Sequence, residues 1–156
     1  MGKGRVIMLA FGGALAAMAL TVGCGSSPKP LTRAQLTDRA NAICRSVKAK
    51  LEAASKGQSA STPQQIERLT TKVSGFEQSA LAQLSELVPP ATLEAEWKRF
   101  VVGAQALAED TAQLGEYMAA NNKAAAKKLI ASAESTQRQM AAVAKRSGFK
   151  DCEQVA

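Results

Sequence analysis

From Thr32 to Ser147 apolar side chains recur at intervals of three and four residues, and no stretch alternates apolar with polar. A period near 3.6 gathers such positions on one face of a helix, whereas a strand needs a period of two, so this pattern restricts the chain to an all-α fold. Three interruptions divide it: a polar stretch after Lys56-Gly57, the pair Pro89-Pro90, and the pair Asn121-Asn122. Four helices are expected.

Each helix carries start and stop signals. Thr32 with Gln35 three residues on forms a capping box, and Leu31 with Leu36 a hydrophobic staple, so the first helix opens at Thr32. Its stripe runs Leu36, Ala40, Ile43, Val47, Leu51 and Ala54, with Cys44 beside it. Thr62-Pro63-Gln64-Gln65 repeats the cap, now with Pro at the first helical position, and the second helix follows Ile66 through Leu87 until the two prolines stop it. A long third helix is expected from Thr92 to Ala120, with Glu94 and Glu96 at the positive end of its dipole. Asn122 caps the fourth, which ends at Ser147, where Gly148 takes the left-handed conformation and Phe149 folds back. Short connections force neighbours in sequence to pack side by side, giving an antiparallel up-down four-helix bundle over residues 32–156.

Ahead of the bundle, Lys3 and Arg5 precede an uncharged run of 17 residues, Val6 to Val22, that ends at Cys24. Basic residues followed by a short apolar run and small residues form an export signal; the run is at the lower limit for a spanning helix. Thr21-Val22-Gly23-Cys24 resembles the lipobox of bacterial lipoproteins, departing from it at Thr21, where Leu is usual and Leu20 stands one place early. The resemblance implies that residues 1–23 are a signal peptide and that Cys24 becomes a lipid-bearing first residue, carrying diacylglyceryl and fatty acid such as palmitate. An ordinary secretory leader or an uncleaved anchor is the alternative. Two acyl chains, at ~0.8 kcal/mol per buried methylene, hold a protein stably where one does not. Residues 24–31, with Gly25-Ser26-Ser27-Pro28-Lys29-Pro30, then form a flexible tether to the outer face of the cell membrane.

Processing removes Lys3 and Arg5 and no acid, so the charge falls from +7 to +5. With Cys24 lipidated, Cys44 and Cys152 remain in a chain that has left the reducing cytosol, and they are expected to pair as a disulfide. The up-down topology brings the C-terminus back to the start of the first helix. Cys44 lies twelve positions into that helix, about 18 Å along it at 1.5 Å per residue, so the first helix must overhang or the tail must run back beside it.

Ala-Asn-Ala-Ile-Cys (Ala40 to Cys44), Val-Pro-Pro-Ala (Val88 to Ala91) and Gly-Phe-Lys-Asp-Cys (Gly148 to Cys152), following a lipobox, resemble a loose group of small alanine-rich exported helical proteins of actinobacteria. The resemblance implies a helical bundle with one disulfide and assigns no activity to any residue.

Signals for chemistry are sparse. The sequence has no histidine, which removes the commonest general base and all imidazole metal sites. Glu94 with Glu96, and Glu109 with Asp110, are close in sequence but point in different directions on a helix. The lysines at 123, 127 and 128, the group Lys145, Arg146 and Lys150, and the flank Arg45, Lys48, Lys50 and Lys56 read as solvated faces, and no stacking aromatics are interleaved with them to suit nucleic acid. Anionic lipid or an acidic cell-wall polymer suits such patches better, and the expected partners are the membrane, reached through the anchor, and an envelope protein or anionic polymer. Trp97, Phe100, Tyr117 and Met118 share a helix face as core or as a cavity wall; Lys128 with Ser132 is a chance dyad.

The expectation is a non-enzymatic, membrane-anchored interaction or scaffold module with no cofactor and no catalytic or metal-binding residues. The alternative is a bundle that holds a small apolar ligand or lipid. An apolar pocket with a few convergent polar groups favours the alternative; a solid core with one exposed patch favours the first.

Overall fold

A computed structural model of the chain describes residues 29–56 and 62–154. The expected signal peptide, Cys24 and most of the expected tether lie outside the described residues. The described residues form four helices, α1 (Arg33–Ser55), α2 (Pro63–Ser85), α3 (Glu94–Ala119) and α4 (Lys123–Ser147), with short 3₁₀ turns at Ala91–Leu93 and Cys152–Gln154, and no strand among them.

The caps formed as their residue types dictate. The Gln35 and Gln65 backbone amides donate to the Thr32 and Thr62 hydroxyls at 3.2 and 3.3 Å, and each glutamine side chain accepts from the amide of its threonine. Such caps satisfy helix-terminal donors that otherwise lack a partner. Asn122 accepts from the Ala125 amide, and Asn121 takes a positive φ of 54° in the turn before it, a conformation Asn tolerates better than most residues. At the other end of α4, Gly148 has φ 84° and the Phe149 amide donates to the Ala144 carbonyl at 2.8 Å, which folds the chain back on the helix end.

Two contacts establish the antiparallel order. The Leu31 amide donates to the Val88 carbonyl, placing the start of α1 beside the end of α2. Phe149, just past α4, packs edge-on against Trp97 and Phe100 near the start of α3, with centroids 5.5 and 5.7 Å away. We call this the lower end. It holds the core: Leu36, Ala40, Phe100, Phe149 and Cys152 are almost fully buried there, with Leu84, Leu93, Trp97, Met140, Val143 and Ala144 around them.

The tail solves the reach of Cys44. Residues 149–154 run back beside the first turns of α1 and separate that helix from α4, so most of the backbone contact on this side passes through the tail. Cys44 and Cys152 are joined as a disulfide with Cα atoms 5.1 Å apart. The Asp151 amide donates to Asn41 Oδ1 at 3.1 Å, and Asp151 pairs with Arg45. Asp151 is half-buried in this clasp. Above the clasp no described residue fills the seam. Leu51, Ile66, Leu69, Leu114 and Leu129, all on apolar stripes, are consequently only half-buried.

Candidate functional site

The open seam leads into an apolar cleft. Its inner recess, about 60 Å³, lies under the disulfide and is walled by Ile43 and Val47 of α1, Ala80, Leu81 and Leu84 of α2, Phe100, Ala104 and Leu107 of α3, and Met140 of α4. A wider hollow of about 230 Å³ continues from it between α3 and α4, along Leu107, Leu114, Leu129, Ile130 and Ala133. Glu77 and Leu107 line both parts. Together the volumes approach the ~300 Å³ at which small-molecule sites begin.

Glu77 is the polar group at the junction. One carboxyl oxygen, Oε2, is buried with no hydrogen-bond partner among the described residues. Burial pushes this carboxyl up to about 6 from an ordinary 4.5, and the Thr111 hydroxyl on α3 acts in the opposite direction. Further up, Asp110 also lines the hollow and its pKa is raised, first by burial and then by the neighbouring Glu109 charge. Glu134 on α4 completes the rim, 3.9 Å from Arg138. No Lys or Arg lines the hollow. Three carboxyls around an apolar slot suit a molecule with an aliphatic body and a hydrogen-bond donor or positive charge. They do not converge as metal ligands: no cluster of three His, Cys, Asp or Glu that could hold a metal is present among the described residues.

Glu77 costs stability at neutral pH. Its pKa is higher folded than unfolded, so the folded state favours the protonated form. That contribution is complete below about 4.5 and is lost as pH rises through about 6. Glu77→Gln is therefore expected to stabilise the protein at pH 7 to 8 by about 1 kcal/mol, a figure reduced for partial solvent screening, and to have little effect below pH 4.5. Urea unfolding of both proteins across that range measures it.

The sequence held a signal for Glu77 that the reading above passed over. Val73, Glu77, Ala80 and Leu84 are spaced four, three and four apart, so a carboxylate stands on the apolar stripe of α2. Asp110 interrupts the α3 stripe in the same way, between Leu107 and Leu114. Pairing Asp110 with its neighbour Glu109 drew attention to adjacency rather than to the face it occupies.

The residues singled out from sequence are distributed as follows. Cys24, the expected lipid attachment, lies outside the described residues. Cys44 and Cys152 are joined, and both line the inner recess. Trp97 and Phe100 stack at the lower end with centroids 5.8 Å apart, while Tyr117 and Met118 sit half-buried near the upper end of α3, so the four do not share one cavity. Lys128 and Ser132 are both exposed, as are Lys145, Arg146 and Lys150, while Lys50 lies over the Phe76 ring at 5.8 Å. Glu94 is exposed and Glu96 half-buried. None of the described helices is long and apolar enough to cross a membrane. No protein-family model, curated protein or solved structure matches the chain.

Proposed function

We propose that the chain is a non-enzymatic, lipid-anchored binding module of the cell envelope, whose bundle holds a small apolar molecule in the cleft that Glu77 and Leu107 line, between α2, α3 and α4. The observation that carries this reading is the cleft itself: an apolar slot, roofed by the disulfide, with a buried carboxyl oxygen of Glu77 left without a partner. A buried polar atom normally finds a partner, and burial of the Glu77 carboxyl works against its charged form, so the group is a burden on the fold at neutral pH. The acidic rim favours a ligand with an amine or another donor at one end. This is the ligand-holding alternative rather than the scaffold, because the core is not solid on this side.

Native mass spectrometry of the full chain, extracted from its own membranes, tests it. Wild-type protein is expected to carry a non-covalent small molecule that leaves on unfolding, and Glu77→Gln to lose it while being the more stable protein. Equal occupancy in both, or an empty wild-type protein, would contradict the proposal. The anchor rests on the leader and Gly23-Cys24. Cys24→Ala should abolish fatty-acid labelling and release the protein from membranes; retained labelling would exclude Cys24 as the attachment point.

A further inference from the structure

The lower half of the α3–α4 pair carries a second hollow of about 540 Å³ on the outer side of the bundle. Gly103 opens it. A Cβ there would come within 2.5 Å of the Met140 side chain, so glycine lets the two helices approach and leaves a shallow floor. Val102 stands on the rim with 57% of its surface exposed, more than any other large hydrophobic side chain among the described residues. Arg99 and Arg146 line the lower part, and no carboxylate lines any of it. Neither guanidinium takes part in an ion pair among the described residues. The α4 dipole accounts for Arg146, in the last turn, but not for Arg99 five residues into α3, nor for leaving Val102 bare beside it.

Position supplies the occupant. The start of α3 and the end of α4 lie at the same end of the bundle as Leu31, where the chain leads toward Cys24. The seven residues from Cys24 to Leu31 span at most about 25 Å, so an anchored bundle keeps this end close to the lipid. Guanidinium pairs bind phosphate with geometric specificity, and an exposed apolar rim beside them suits the upper part of an acyl chain. We propose that this hollow seats on the anionic phospholipid of the membrane that carries the anchor, with a lipid phosphate between Arg99 and Arg146 and acyl carbon against Val102. The inference rests on the Cys24 anchor and is independent of what occupies the Glu77 cleft.

The full lipidated chain is incorporated into vesicles of phosphatidylcholine alone, or of phosphatidylcholine with phosphatidylglycerol, and treated with the arginine reagent phenylglyoxal. Peptide mass spectrometry reads the rate at each arginine. Arg99 and Arg146 should react about fivefold more slowly in the phosphatidylglycerol vesicles, the factor equivalent to the ~1 kcal/mol typical of a basic residue at an anionic surface. Arg68, near the start of α2 at the upper end, should react equally in both. Val102→Asp should restore the neutral-vesicle rates. Equal rates at Arg99 and Arg146 in the two compositions, or slowing confined to Arg33 beside the tether, would overturn the proposal. Equal protection by soluble glycerophosphate without vesicles would also overturn it, by making the ligand a free phosphate. Failure to float with neutral vesicles would refute the anchor, and with it the membrane as occupant.

Discussion

Cys44→Ser is expected to destabilise the protein by about 4 to 5 kcal/mol, because the bridge closes a loop of 108 residues and the chain-entropy account assigns that much to a loop of roughly this length. The corresponding fall in Tm is on the order of 10 to 20 °C for a bundle of this size. The loss should also be local before it is global. Without the bridge the tail retains the Asn41–Asp151 hydrogen bond, the part-exposed Arg45–Asp151 pair and the buried Phe149 side chain. A surface ion pair contributes little, ~0 to 1 kcal/mol. Amide exchange at Phe149 to Gln154 and along the first turns of α1 should therefore rise more than exchange in α2 and α3, which pack along their lengths. Uniform acceleration, or an unchanged melting curve, would mean that the tail is held by something other than the disulfide.

Phe149→Ala is the second large effect, about 3 to 5 kcal/mol, the usual cost of truncating a fully buried aromatic residue. Phe149 is 0% exposed and makes edge contacts to both Trp97 and Phe100, so its removal leaves a cavity at the junction of α1, α3 and α4 and two rings without their partner. Because Phe149 and Cys152 hold the same short tail, the two losses should not add. Once the tail is free, either substitution makes the other less costly, and the double variant should be more stable than the sum of the single effects implies. Urea titrations of the four proteins read this coupling, and strict additivity would show that ring cluster and bridge act independently.

Much of the fold was legible in the sequence because it rests on local chemistry. The caps at Thr32, Thr62 and Asn122 and the Gly148 turn each follow from one or two side chains acting on the nearest backbone, and each formed where those residues stand, whereas α2 closes at Ser85, ahead of Leu87 and the two prolines expected to stop it. The Cys44–Cys152 pairing was expected from the two remaining cysteines and the up-down topology, and the depth of Cys44 in α1 left two outcomes, an overhanging first helix or a tail running back beside it, of which the structure has the second. The open seam was not legible. Helical periodicity states which face of a helix is apolar, but it does not state whether four such faces close on one another. Here the tail is interposed between α1 and α4, so Leu51, Leu114 and Leu129 stand on correct stripes and remain half-exposed.

The candidate site was hidden for a related reason. Reading acids in close pairs leads to Glu94, Glu96, Glu109 and Asp110 as candidates, whereas a carboxylate gains unusual properties from the face it occupies. Glu77 sits among Val73, Ala80 and Leu84, and its raised pKa comes from burial rather than from a neighbouring acid. The basic groups read as solvated faces are exposed where described above. Arg99 belongs to none of those groups, and it gains significance only because α4 brings Arg146 to the same hollow.

The central proposal is that the cleft between α2, α3 and α4 receives an apolar molecule whose polar end meets Glu77. A photoreactive aliphatic amine, irradiated with the full chain in its own membranes and mapped by peptide mass spectrometry, tests it most directly. The account predicts covalent label on Leu107, Leu129 and Ile130, strongly reduced in Glu77→Gln. Label confined to Val102 and its surroundings, or equal in both proteins, would contradict it.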